Sequence, residues 1–120
     1  MVLFLTSCDR EDKSKKMILD ICGRKEVVSP TAELLRDTVM SLDVSGDAYL
    51  ILSAPDGRFM QCSGDQRVGF HLEYQDGSVD EHYQAVRGDL EAETIIVKLA
   101  QYAEGNSAWK DGIEWKRITW

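Results

Sequence analysis

Two histidines and the carboxylates near them are the residues best suited to chemistry. His71 precedes and His82 follows the Asp-Gly pair at 76–77, a strong signal for a two-residue hairpin loop. That loop would place His71 opposite His82. It would also place Glu73 opposite Asp80, on the same solvent-facing side of the hairpin. Such a group could bind Zn²⁺ or Fe²⁺, which makes the histidines candidate metal ligands. The alternative is a solvated polar face, and on that interpretation no metal or cofactor is expected.

The three cysteines are Cys8, Cys22 and Cys62, and no two of them have C-x-x-C spacing. This pattern fits neither a disulfide framework nor a zinc site. It fits a reducing cytoplasm, with Cys22 and Cys62 as small buried apolar residues. A cysteine-dependent enzyme using Cys62 with His71 or His82 is an alternative, but burial raises a thiol's pKa and makes it inert. No catalytic residue is predicted, and we do not expect an enzyme.

The first sixteen residues differ from the rest of the chain. The stretch LTSC at 5–8 is like a bacterial lipobox, whose cysteine becomes lipidated. The apolar run that leads into it is short, because only residues 2–5 precede the polar residues. A secretion signal needs a basic start and roughly 7–15 apolar residues. We therefore expect residues 1–16 to be a disordered or loosely attached leader and residues 17–120 to form a single domain. The alternative is a membrane-anchored envelope lipoprotein with a truncated signal, lipidated at Cys8.

The net charge of the chain favours some kinds of binding partner over others. The chain has 14 Lys and Arg against 21 Asp and Glu, a net charge of −7. Nucleic-acid binding needs clustered basic residues that displace counterions, which argues against a nucleic acid partner. A basic protein partner is compatible with this charge, because complementary fields speed encounter. No stretch approaches the ~20 apolar residues of a membrane span, so we expect no membrane span. The cytoplasmic location that we expect follows from the cysteine pattern instead.

The first half of the domain predicts a strand followed by a helix. The apolar run at 17–23 ends in glycine and is typical of a strand. Ser29 is the expected N-cap of the helix, and Pro30 suits its first position. The inward face of this helix has helical spacing and consists of Ala32, Leu35, Val39 and Leu42.

A four-strand meander and a second helix follow. Two hairpins are predicted, turning at 54–58 and at 76–77. Alternation predicts a buried face in the third strand of the meander, made by Val68, Phe70, Leu72 and Tyr74. Asp89 is the expected cap of the second helix, and Gly105 ends it. The buried stripe of this helix consists of Ala92, Ile95, Ile96, Leu99 and Ala103.

The chain ends in a predicted strand that holds two of the three tryptophans. The strand covers residues 113–120, and alternation places Trp115 and Trp120 on opposite faces. We expect Trp109 and Trp115 to lie in the core and Trp120 to be partly exposed. The element order is strand, helix, four-strand meander, helix and strand. It predicts an α+β fold with an antiparallel sheet and helices packed on one face.

Four short motifs follow one another along the second half of the chain. The first is an aromatic-x-Gln triplet in a hairpin, here residues 59–61, and the second is Leu-Glu-Tyr at 72–74. A His-Tyr pair at 82–83 and a late helix leading to W…W come next. In this order the motifs resemble an immunity-protein family of bacterial polymorphic toxin systems, family one in the usual numbering, and the resemblance covers residues 17–120.

This resemblance implies a non-enzymatic antidote. Such a protein binds and neutralises a cognate toxin encoded by an adjacent gene, often deaminase-like or otherwise acting on nucleic acid. A toxin of that kind tends to be basic, so an acidic surface could cover its active site. From charge and exposure we select a candidate partner-binding set, with Asp89 and Glu91 as second choices. The set consists of Glu73, Asp76, Asp80, Glu81, Tyr83 and Trp120.

Overall fold

A seven-stranded antiparallel sheet and two helices make up the fold in the computed structural model, which describes residues 16–46 and 48–119. The strands are β1 (Ile18–Ile21), β2 (Lys25–Val28), β3 (Tyr49–Ser53), β4 (Phe59–Asp65), β5 (Gly69–Gln75), β6 (His82–Ala85) and β7 (Trp115–Arg117). The helices are α1 (Ala32–Ser41) and α2 (Ala92–Ala103), with 3₁₀ turns at Val79–Glu81 and Ser107–Lys110. The predictions for residues 1–15, including Cys8, and for Trp120 concern residues outside the described ranges.

The strands lie in the order β2-β1-β3-β4-β5-β6-β7, and every neighbouring pair is antiparallel. Alternate side chains of the strands pack against α1 and α2 in one core. The predicted α+β class, with an antiparallel sheet and helices packed on it, is confirmed. The fully buried core side chains include Leu19, Leu35, Val39, Leu50, Leu52, Met60, Phe70, Leu72, Ile95 and Leu99.

The prediction omitted β2, which pairs with β1 through a tight turn. Cys22 and Gly23 have φ angles of +56° and +71°, and the Arg24 amide donates to the Ile21 carbonyl at 3.0 Å. Two positive φ angles are typical of a type I′ hairpin turn, which usually carries Asn-Gly or Asp-Gly. A cysteine in the first position conceals the turn in the sequence. The expectation that Cys22 is buried was wrong, since it is partly exposed at this turn.

Helix α1 begins two residues later than predicted. Its N-cap is Thr31, whose hydroxyl accepts from the Leu34 amide at 3.0 Å. Ser29 instead has a φ of +53°, and its amide donates to the Met17 carbonyl at 2.8 Å, which closes the end of the β1–β2 hairpin. Ala32 is consequently exposed and not inward. The rest of the predicted inward face is confirmed, because Leu35, Val39 and Leu42 are buried.

Helix α2 begins after Glu91 and not after a cap at Asp89. The intervening Leu90 forms a bridge with Phe70, with amide–carbonyl distances of 2.9 Å in both directions, so the chain is still extended at this point. Gly105 ends the helix with a φ of +74°, as predicted. The buried face of α2 consists of Ile95, Ile96, Leu99 and Tyr102, with Ala92 and Ala103 partly buried against the core.

Two smaller corrections concern the strands. Val68 was expected in the buried face of the third meander strand, but it precedes β5 and is 58% exposed. The final strand is shorter than predicted and covers only Trp115–Arg117. Among residues 16–46 and 48–119, neither helix has the length and apolar composition needed to cross a membrane.

Candidate functional site

The loop between β5 and β6 is longer than the Asp-Gly pair predicts. In the observed register Gln75 lies opposite His82 and Glu73 lies opposite Gln84, so the loop spans residues 76–81. A 3₁₀ turn lengthens it, and the Asp76 amide donates to the Glu81 carbonyl at 2.9 Å. The predicted pairings of His71 with His82 and of Glu73 with Asp80 were therefore wrong.

Both histidines nevertheless contact the same carboxylate, that of Glu73. The register differs from the predicted one by four residues, and an even shift keeps every side chain on its predicted face. The Nε2 atom of His82 lies 2.6 Å from Oε1 of Glu73, and Nε2 of His71 lies 2.8 Å from Oε2. A single carboxylate thus bridges both imidazoles on the face of the sheet opposite the helices. We call this the open face, since no described helix covers it.

Two glutamines complete this cluster. Nε2 of Gln61 donates to Oε1 of Glu73 at 3.1 Å, and Oε1 of Gln75 lies 2.9 Å from Nδ1 of His82. His82 is only 4% exposed, and the ring of Phe59 contacts it edge-on at 6.0 Å between centroids. Neither glutamine contact was predicted. The Gln75–His82 contact depends on the β5–β6 register, which the Asp-Gly pair concealed, and the Gln61–Glu73 contact depends on the β4–β5 register.

The electrostatics of the cluster favour an ionised Glu73. Partial burial opposes the charged form, but hydrogen bonds from His82 and His71 outweigh it, and the pKa of Glu73 lies below its usual value. The candidate metal ligands His71 and His82 both direct Nε2 at this carboxylate. Among residues 16–46 and 48–119, no group of three or more His, Cys, Asp or Glu side chains is arranged to hold a metal ion.

A hollow of about 230 Å³ lies beside the cluster on the open face. Three strands form it, because side chains of β3, β4 and β5 point to the same side. Its lining consists of Tyr49, Ile51, Gln61, Cys62, Ser63, His71 and Glu73. Cys62 itself belongs to the core, and burial raises the pKa of its thiol to about 12. A pKa raised this far keeps the thiol protonated at neutral pH, which disfavours the nucleophilic role considered above.

Three of the acidic candidates, Asp76, Asp80 and Glu81, lie in the loop at one end of this face. Asp76 and Asp80 are exposed. Glu81 accepts a hydrogen bond from the Tyr83 hydroxyl at 2.9 Å. Between the acids, Val79 is 57% exposed, so the loop combines an apolar side chain with carboxylates. Arg117 is the nearby cation, and its Nε donates to the Asp80 carbonyl at 2.8 Å.

The candidate set does not form one continuous surface. Tyr83 points to the helix side of the sheet, where its ring stacks on Tyr74 with 4.9 Å between centroids. Only its hydroxyl reaches the acidic loop. Asp89, which pairs with Arg87 at 3.0 Å, lies with Glu91 just before α2, next to the start of β5. These two residues are therefore at the opposite end of β5 from the acidic loop.

Trp109 and Trp115 pack against the core as partly buried side chains. Each ring meets Tyr74 edge-on, with centroid distances of 4.7 Å and 4.8 Å. Nε1 of Trp115 donates to the Lys110 carbonyl at 3.1 Å. Trp109 and Trp115 thus cover the end of the core between β5 and α2.

Comparison of the chain with protein-family models, with characterised proteins and with solved structures finds no match.

Proposed function

We propose that the chain is a non-enzymatic immunity protein that binds and neutralises a cognate toxin domain of a bacterial polymorphic toxin system. The observation that supports this most is the convergence of three motifs on which the family resemblance depends. Phe59 and Gln61, Glu73, and His82 come from separate strands and contact one another on the open face. These contacts bring the residues that carry three of the motifs into one cluster on the surface opposite the helices.

The charge distribution supports a basic partner. The loop at 76–81 presents Asp76 and Asp80 together with the exposed Val79, next to the open face. An apolar contact surrounded by charges is the usual anatomy of a protein interface. A toxin that acts on nucleic acid, such as a deaminase-like domain, presents a basic active-site region that this surface would complement. In this proposal the antidote works by occupying that region.

The test is co-expression of the full chain with the product of the adjacent gene. The neighbouring protein is expected to stop growth when expressed alone, and the chain is expected to restore growth and to co-purify with it in a fixed stoichiometry. A control expresses the chain with an unrelated basic toxin, which it should not neutralise. If the neighbour is harmless, or if it stays toxic while the chain is present and folded, the proposal is wrong.

A further inference from the structure

The hollow on the open face contains a carboxylate that is not saturated with hydrogen bonds. A carboxylate offers about four acceptor positions, two on each oxygen. Oε1 of Glu73 accepts from both Gln61 and His82, whereas Oε2 has one described partner, His71. The side chain of Glu73 is 20% exposed, and the residue lines the hollow. One acceptor position is therefore left for a donor that enters from solvent.

The walls of the hollow suit a cation with an apolar stem. Tyr49, which is 37% exposed, and Ile51 supply aromatic and aliphatic surface. An aromatic ring stabilises a nearby ammonium or guanidinium group, and aliphatic surface packs against the methylene groups that carry it. No lysine or arginine is among the residues that line the hollow. Its volume of about 230 Å³ far exceeds the roughly 10–15 Å³ that one water molecule needs.

We infer that this hollow receives a lysine or arginine side chain from the basic protein partner. The cation bonds to Oε2 of Glu73, and its stem packs along Tyr49 and Ile51. His71 and His82 act as positioning residues, since their Nε2 groups fix the carboxylate from two sides. Charge complementarity identifies the occupant, because the protein's net charge is −7 and the carboxylate in the hollow is ionised. The inference rests on the proposed function for the identity of the partner only.

The experiment uses the full ¹⁵N-labelled chain and N-acetyl-arginine amide as the probe, with N-acetyl-norleucine amide as the uncharged control. The arginine probe should shift the Gln61 side-chain amide and the Ser63 backbone amide saturably, with a Kd of about 1–10 mM. Glu73→Gln should weaken this binding by about tenfold. Equal shifts with both probes, or no saturation by the arginine probe, would overturn the inference.

A second pair of variants tests the same site independently, in case Glu73→Gln does not fold. Ser63 is exposed and lines the hollow, so Ser63→Arg places a cation beside Glu73 without removing any member of the cluster. The matched control, Ser78→Arg, adds the same charge in the loop at 76–81. Ser63→Arg should abolish probe binding and Ser78→Arg should preserve it. The opposite pattern, or an equal effect of both, contradicts a cation site in the hollow.

The two proposals fail in distinguishable ways. If the chain protects cells from the neighbouring toxin while Glu73→Gln and Ser63→Arg bind the probe normally, the hollow is not the cation site and the function stands. If the hollow binds the probe with the expected variant pattern but the chain gives no protection, the proposed function is wrong and the cation site stands.

Discussion

At the scale of single residues, the carboxylate of Asp65 joins two separate connections of the chain through hydrogen bonds. Asp65 is 2% exposed and lies at the end of β4. Its carboxylate accepts from the Val44 amide at 2.9 Å and from the amides of Arg67 and Val68 at 2.9 Å and 3.1 Å. The Arg67 guanidinium adds a fourth bond at 2.9 Å. One buried carboxylate thus ties the connection after α1 to the turn before β5.

Replacement of Asp65 by Asn should lower the urea midpoint of unfolding markedly at neutral pH. Asparagine keeps one acceptor oxygen, and its NH₂ group would face donors that then lose their partner. The comparison is Asp56→Asn, which changes an exposed carboxylate bonded to Arg58 in the β3–β4 turn and should shift the midpoint little. Equal shifts for the two variants would contradict the role assigned to Asp65.

The same residue predicts a pH dependence of stability. Hydrogen bonds from the Val44 amide and the Arg67 side chain hold the pKa of Asp65 well below its usual range. A depressed folded pKa contributes stability that is fully present above the unfolded value of about 3.9 and is lost as the pH falls below it. The difference in midpoint between wild type and Asp65→Asn should therefore be constant from pH 7 to 5 and narrow below pH 4. Urea titrations at each pH measure it.

At the scale of elements, the sequence predicts those buried faces of strands and helices that follow from local hydrophobic periodicity. Phe70, Leu72 and Tyr74 alternate with polar residues, and they lie on the buried face of β5 as expected. The β5–β6 register was not predictable, because an Asp-Gly pair favours a two-residue loop. The observed loop is longer, since it contains the 3₁₀ turn at Val79–Glu81. The contact between Glu73 and His82 depends on the β5–β6 register, whereas the contact between Gln61 and Glu73 depends on the β4–β5 register. The histidine–carboxylate association was therefore predictable, whereas its partners and geometry were not.

The start of β5 offers a prediction about a close approach between backbones. Gly69 has a φ of +88°, and a Cβ atom there would lie 2.7 Å from the Asp89 Cα, because Phe70 and Leu90 are bridged beside it. Gly69→Ala should lower the free energy of unfolding by about 3 kcal/mol, from the positive φ and the overlap together. Chemical denaturation measures this change.

Gly77→Ala is the matched control for that substitution. Gly77 has a φ of +96°, but a Cβ atom there has nothing within 4 Å. Only the conformational cost applies, about 1 kcal/mol. If the two variants lose the same stability, the bridge at Leu90 does not constrain Gly69.

The 3₁₀ turn at Ser107–Lys110 and β7 are stabilised through their tryptophans. Trp115→Ala should cost about 2–3 kcal/mol, below the roughly 3–5 kcal/mol of a fully buried tryptophan, because the ring is partly exposed. Trp115→Phe keeps most of the packing on Tyr74 but loses the bond to the Lys110 carbonyl, which should cost about 1 kcal/mol. Urea unfolding curves, monitored by near-UV circular dichroism, measure the stability loss of each variant. Equal losses would mean that the hydrogen bond, and not the packing, dominates.

At the scale of the whole molecule, acidic residues lie on both sides of the sheet, so net charge alone does not select a surface. Glu33 and Asp37 are exposed on α1, whereas Asp76 and Asp80 are exposed in the loop beside the open face. At physiological ionic strength, salt screens the field of an exposed charge beyond about 8–10 Å. Charges therefore steer a partner mainly when they lie close to the surface where that partner docks. The two pairs of acids therefore distinguish docking at the loop from a general effect of charge.

Replacing Asp76 and Asp80 by Ser should slow association with the purified toxin partner by about three- to tenfold at low salt and flatten its salt dependence. Replacing Glu33 and Asp37 by Ser changes the net charge equally but should leave the association rate close to that of wild type. Stopped-flow measurements over a range of salt concentrations give both quantities. Because Glu81 bonds to Tyr83, it is left unchanged in this comparison. If the α1 variant slows association as much as the loop variant does, the total charge governs encounter, and the loop at 76–81 is not where the partner docks.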